Sequence, residues 1–296
     1  MAIESTLHTN SAPHTVTATL QYFTPPADGS KPWISATERV PGTLQSASNW
    51  KHKAHVVEIE DIRGRETDLE EISLDKTGFQ YFKRKTEFDF GGKGGAASDE
   101  AIEKAYYPES IQLIKDYTGA SRVVLFDHTI RRNRPGDTDE SPSNRHPVSQ
   151  VHVDQTTAAA VARVHRHLPA SDAPELLKKR FQIINLWRPI NHPALDWPLA
   201  LCDCRSVDLS RDLVPMTLRY PDRDGEVSAV KFSPEHRWKY IRGLTPEEGV
   251  LIKCFDSQQD GSVAILTPHT AFEDPTTPPD APLRESIELR ALVFYD

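Results

Sequence analysis

Three cysteines are all that 296 residues contain, and Cys202, Cys204 and Cys254 show no CxxC spacing. An odd number without that spacing excludes a disulfide framework and a zinc knuckle, and it suits a reducing, cytoplasmic setting. Long apolar runs are also missing, since no stretch approaches the ~18–20 residues of a membrane-spanning helix. The opening MAIESTLHTNSAPHT is polar and carries Glu4, unlike a signal or transit peptide. Positive charge is in deficit: 35 Lys and Arg face 43 Asp and Glu, for a net charge of −8. That balance argues against nucleic-acid binding, which needs a basic footprint to neutralise phosphates. Glycine is scarce (14) beside proline (23), so many loops are stiff rather than floppy. Apolar residues at 38% and charged residues at 26% are ordinary for a soluble globular protein.

The length suits one large domain or two small ones. Residues 1–50 are rich in Pro, Ser and Thr with weak periodicity, and are expected to wrap a core laid down later. VVEIEDIRG (56–64) alternates as a strand does, and 75–90 is expected to add a hairpin. FGGKGGAASD (90–99) reads as a loop. A helix is expected from Ser98, and a second from Pro108 to its stop at Gly119. SRVVLFDHTI (121–130) reads as a buried strand and RRNRPGDTDESPSNRHP (131–147) as a polar loop. From 148 onward strand follows strand: PVSQVHVD, RFQIINLWRPI, LALCDCRSV, LVPMTLRYP, EVSAVKF, GVLIKCFDS, VAILTPHTAF and SIELRALVFYD. Only TTAAAVARVHRHL (156–168) reads as a helix among them, with a Thr cap at one end and basic residues at the other. The expected class is mainly β with peripheral helices, a barrel or jelly roll. A doubly wound sheet would need helices between the strands, and those are missing.

In PVSQVHVD, Val151 and Val153 alternate with His152 and Asp154. Residues two apart on a strand share a face, so one imidazole and one carboxylate aim at a common point while the valines pack behind. Two histidines and a carboxylate with open positions are the ligand set of non-haem Fe(II) oxygenases. Of the later histidines, His165 and His167 stand ~200° apart on the predicted helix and read as exposed. His192 and His236 fall in loops. His269 ends the apolar run VAILTPH, where a ligand could be held rigidly. Arg284-Glu285-Ser286 follows fifteen residues later, and Arg284 and Ser286 share a face that could grip one carboxylate. Arg290 lies ~20 Å further along a regular strand and reads as structural, paired with Glu288 or a neighbouring strand. His128 reads as a hydrogen-bonded histidine rather than a ligand.

The order HVD, distal His and RxS resembles the 2-oxoglutarate-dependent oxygenases of the isopenicillin N synthase-like class. FDHTIRRN (126–133), VHVDQT (151–156), NLWRPI (185–190), WPLALCD (197–203), CFDS (254–257), TPHTAFEDP (267–275) and RESIELRALVFY (284–295) narrow the likeness. They resemble the fungal and bacterial family of gibberellin desaturase, aspergillic acid hydroxylase and cephem methoxylase-type proteins, over roughly residues 50–296. The resemblance implies a double-stranded β-helix (jelly roll, cupin-like) core at 121–296 within a single domain, 1–296, with 1–120 as a wrapping region. It implies Fe(II) on His152, Asp154 and His269, with Arg284 and Ser286 on the C5 carboxylate of 2-oxoglutarate and O2 as oxidant. Asn185 and Arg188, on opposite faces of a regular strand, are further candidates for cosubstrate or substrate contact. The implied reaction is a two-electron oxidation of a small specialised metabolite, by hydroxylation, desaturation or ring closure. The glycine loop 91–95 and the loop 131–147 are candidate lids.

A zinc metallohydrolase could use the same three ligands but leaves Arg284 and Ser286 unexplained. Gly92-x-Gly94-x-x-Ala97 is a weak dinucleotide signal without its βαβ context. No GxSxG elbow of a serine hydrolase occurs. A non-catalytic β-helix binding protein has no use for an intact ligand set.

Overall fold

A computed structural model of the protein describes residues 14–41, 46–65, 71–91, 97–137 and 145–296. Both candidate lids lie partly outside these residues. Strands β1 (His14–Thr24), β2 (Trp33–Arg39), β3 (Ser46–Ser48) and β4 (Lys51–Asp61) come first. β5 (Phe79–Lys83) precedes a helical stretch and β6 (Arg122–Arg132) follows it. β7 (His152–Val153) leads into the helix Thr157–His167. After it come β8 (Phe181–Pro189), β9 (Leu199–Cys202), β10 (Leu213–Arg219), β11 (Asp224–Val230) and β12 (Trp238–Tyr240). β13 (Glu248–Asp256), β14 (His269–Ala271) and β15 (Glu285–Phe294) close the chain.

Among the described residues these strands form a ten-stranded sheet, β1-β4-β12-β9-β14-β7-β11-β10-β2-β3, and a five-stranded sheet, β5-β13-β8-β15-β6. Curled and packed face to face, they make the jelly-roll core expected from the pattern of short strands. β8, central in the smaller sheet, is buried at every residue, as a strand covered on both faces must be. Its Ile183 and Trp187 turn inward against Leu199 and Leu201 of the larger sheet. Ile184 and Leu186 turn outward onto Tyr106, Leu113 and Ile114 of the helical stretch.

Four local expectations change. Residues 14–24 form a full strand beside β4, with Val16, Ala18, Leu20 and Tyr22 buried in alternation. The expected hairpin at 75–90 is one strand, β5, paired with β13. The two helices expected at Ser98 and Pro108 run together through a π-helical turn, Ile102–Tyr106, into Tyr107–Thr118. Ser98 caps the start and Gly119 ends it in the left-handed region. Finally, the strand expected at 121–130 runs on to Arg132, which takes Arg131 out of the loop and onto the sheet.

Candidate metal centre

His152 and His269 sit directly opposite each other on the antiparallel neighbours β7 and β14. Paired positions share a face, so their rings meet, with centroids 4.4 Å apart. Asp154 lies two residues beyond His152 on the same side. One ligand atom from each of His152, Asp154 and His269 falls within 4.8 Å of the others, the one such group among the described residues. Val151 and Val153 are fully buried behind, in a separate apolar cluster with Ala200 and Cys202.

Both ligand strands are shorter than the sequence suggests: two residues rather than eight for PVSQVHVD, and three for the run ending in HTAF. His269 opens its strand instead of ending it. In each case the carbonyl two residues back is diverted to the imidazole. His152 Nδ1 bonds the Gln150 carbonyl at 2.8 Å, and His269 Nδ1 bonds the Thr267 carbonyl at 3.0 Å. A carbonyl only accepts, so each Nδ1 carries the proton and each Nε2 presents its lone pair to the site. Pro268, which has no N–H, further limits β14. Gly78, at φ +88°, lies so close to this segment that an added Cβ would stand 2.2 Å from Thr267 Oγ1 and 2.5 Å from the Leu266 carbonyl oxygen. Only glycine permits that approach.

The Asp154 carboxylate divides its oxygens. Oδ1 faces His152 Nε2 at 3.4 Å, and Oδ2 accepts from Asn185 Nδ2 at 2.6 Å. Cys254 Sγ donates to Oδ2 at 3.7 Å, and Arg290 Nε stands 3.8 Å from it. Burial alone would raise the Asp154 pKa. The neighbouring His152 and His269 imidazoles and the Arg290 guanidinium outweigh burial and hold it well below the usual range. For His269, burial first and the His152 charge second push the pKa down, toward the neutral form a metal requires. Just past Asp154, Thr156 caps the helix Thr157–His167 and donates to Glu226 at 2.6 Å, which fixes the chain where it leaves the site.

Arg284 and Ser286 are both buried beside this group. Arg284 Nε donates to Ser286 Oγ at 3.1 Å and Nη1 to the Trp197 carbonyl at 2.6 Å, while its guanidinium lies 5.1 Å over the Trp187 ring. Burial, then the nearby Arg131 charge, lower the Arg284 pKa to about 9. A cavity of about 20 Å³ joins His152 and His269 to Arg284, Arg131, Trp187 and Glu288. Arg131 and Val148 also line a second cavity, of about 750 Å³, with Arg134, His52, His146 and Trp197. The buried Trp187 Nε1 has no hydrogen-bond partner among the described residues. This donor-rich pocket suits a carboxylate.

Of the two remaining candidates, the structure brings Asn185 to the site, where Nδ2 donates to Asp154 and the buried Oδ1 has no hydrogen-bond partner among the described residues. Arg188 is not brought there. One β8 step out of phase, it is buried on the opposite face, 5.3 Å from the Phe82 ring and 5.8 Å from Tyr106. Those ring contacts, at about 2 kcal/mol for a desolvated pair, offset part of the several kcal/mol it costs to bury a cation. The sequence reading missed four contacts at the site: Cys254 and Arg290 on Asp154, and Arg131 and Trp187 on the cavity wall. Inward parity on β8 and β15 was the available signal for Trp187 and Arg290. Arg290 does pair with Glu288, and with Asp127 of β6 at 2.8 Å, as expected.

The other histidines considered as ligands lie away from this group. His236 bridges Tyr22 at 3.1 Å and Asp212 at 3.2 Å, and His128 bonds Tyr107 at 2.8 Å. His165 is exposed, but His167 stacks on Phe126 with centroids 4.8 Å apart, so it is not the exposed residue expected. No helix of the described residues is long and apolar enough to cross a membrane.

A family model described as "YDMC: Oxidoreductase/YMDC permease-like domain" matches residues 20–294. Hydroxylase/desaturase efuI of Hormonema carpetanum is 37% identical over 303 residues, which cover 95% of this chain and 96% of the relative. Fe(II)/2-oxoglutarate-dependent dioxygenase nvfI of Aspergillus novofumigatus (strain IBT 16806) is 34% identical, with coverage of 86% and 87%. The solved structure of the iron and alpha-ketoglutarate-dependent endoperoxidase NvfI matches with a TM-score of 0.76 at 28% identity, covering 95% of this chain and 98% of that one. Matches of this extent show that the chain belongs to the hydroxylase/desaturase family of Fe(II)/2-oxoglutarate-dependent dioxygenases.

Proposed function

We propose that His152, Asp154 and His269 hold Fe(II) and that Arg284 and Ser286 receive the C5 carboxylate of 2-oxoglutarate. The observation that carries this reading is the paired tautomer lock. Two imidazoles with Nδ1 committed to backbone carbonyls, His152 Nε2 at 3.4 Å from an Asp154 oxygen, and one ligand atom from each of the three residues within 4.8 Å of the others make an N2O donor set. When bound, iron, cosubstrate and O2 supply the oxidising power for a substrate C–H bond. The chain's residues supply position. Asn185 and Arg290 hold Oδ2 of Asp154 so that Oδ1 stays on the histidines. Arg284 is buried with no carboxylate in ion-pair range among the described residues, and Trp187 Nε1 is unpartnered, so both fit an incoming acid.

The 750 Å³ cavity is of small-molecule size and adjoins the iron pocket through Arg131 and Val148. It is the proposed seat of a specialised metabolite, oxidised by two electrons through hydroxylation, desaturation or ring closure. Three free cysteines support work in a reducing, cytoplasmic compartment. The test is anaerobic addition of Fe(II) and 2-oxoglutarate, read as a weak visible charge-transfer band. A band in wild type that is absent from Arg284→Ala at the same 2-oxoglutarate concentration is expected; no band in wild type contradicts the cosubstrate assignment.

A further inference from the structure

Arg131 reaches the site from an unexpected direction. β6 pairs with β15 so that Arg131 lies directly opposite Ser286. Directly opposed residues share a face, and Arg284 lies two positions from Ser286 on that same face. Both guanidiniums therefore line the cavity that holds His152 and His269.

Neither guanidinium has a carboxylate in ion-pair range among the described residues, although Glu288 acts on both from farther off. The one hydrogen bond of the Arg131 guanidinium among the described residues runs from Nη1 to the His146 carbonyl, at 3.0 Å. Among the described residues, the Arg284 side chain donates to the Ser286 hydroxyl and the Trp197 carbonyl. Glu288 lines the same cavity but is engaged by Arg290. Arg290 shows how this sheet treats an arginine with an internal role: Asp127, Glu288 and Asp154 surround it. Two like charges on one buried wall, hydrogen-bonded to neutral acceptors among the described residues and sharing one Glu288 that Arg290 also holds, leave positive charge for an incoming anion to answer.

We infer that Arg131 is a second carboxylate-binding residue, acting with Arg284 on the distal carboxylate of 2-oxoglutarate. The inference rests on the cosubstrate reading above and adds a residue to it. Arg131 and Val148 also line the larger cavity, so the same side chain stands at the boundary between cosubstrate and substrate.

The test compares two keto acids on Fe(II)-loaded protein without O2. 2-Oxoglutarate carries the distal carboxylate, whereas 2-oxovalerate keeps the keto-acid end and lacks it. For Arg131→Gln the expected result is a dissociation constant for 2-oxoglutarate raised about tenfold or more. The constant for 2-oxovalerate should stay within about threefold of wild type. Arg131→Lys, which keeps the charge and loses the planar fork, should fall between the two. Unchanged 2-oxoglutarate binding in Arg131→Gln overturns the inference, and so does an equal loss for both acids, which marks a structural role alone. If the Gln variant does not fold, Arg131→Lys decides: selective weakening toward 2-oxoglutarate supports the inference and wild-type affinity overturns it. A wild-type protein that binds neither acid overturns the cosubstrate reading itself, an outcome distinct from a variant that matches wild type.

Discussion

The strands that carry the candidate ligands, β7 and β14, span two and three residues, whereas β8 and β15 across the core span nine and ten. The ten-stranded sheet thus presents the metal donors on its least regular pieces. The five-stranded sheet presents Asn185, Trp187, Ser286, Glu288 and Arg290 on two long and largely buried strands. The difference has a physical cause. A histidine that must be held in one tautomer takes a backbone carbonyl out of ladder service, which limits the strand around it. Residues that only support or receive charge leave the ladder intact and gain rigidity from it.

Substitutions on the two sheets should act differently. Arg284→Ala removes the buried cation from the long-strand side. About two charge-assisted bonds, near 1.5–3 kcal/mol each, should cost roughly a hundredfold or more in 2-oxoglutarate affinity. Iron affinity should stay near wild type in the same titration. Asn185→Ala should weaken Fe(II) binding by about 10–100-fold, the usual cost of losing an outer partner of a metal ligand. If it instead weakens only 2-oxoglutarate binding, Asn185 is a cosubstrate residue and its bond to Asp154 is incidental.

Gly78→Ala acts on the short-strand side without touching a ligand. The strained φ, at about 1–3 kcal/mol, and the clash with Leu266 and Thr267 should lower the melting temperature by several degrees. Iron affinity should fall with it, because the Thr267 carbonyl orients His269. The smallest effect belongs to Arg188→Met. Replacing a buried, ring-stacked cation by an apolar side chain should leave stability unchanged or improved and 2-oxoglutarate affinity within about twofold. A loss like that of Arg284→Ala would mean that the faces of β8 are misassigned.

How much of this was legible follows from the same contrast. His152 and Asp154 could be read because alternation over four residues needs no neighbour, and β8 and β15 announced themselves by their apolar length. His269 depended on its distance from Arg284, since the stretch before it is not a strand. Arg131 was hidden because its strand continues into a polar RRNR run that reads as loop, held there by pairing with β15. Asn185 and Arg188 were told apart by parity, but which face carried iron needed the second sheet. Position 188 shows the limit: an arginine amid apolar residues reads equally as a carboxylate partner or as a buried arginine paired with an Asp, and the rings it rests on are visible only in the fold.

β7 and β14 are proposed to hold one iron between them. Anaerobic titration of Fe(II) into metal-free protein tests it most directly, with His269→Ala beside wild type. One equivalent bound by wild type and none detected for His269→Ala is the result this account predicts. Wild-type affinity retained without His269 would contradict it.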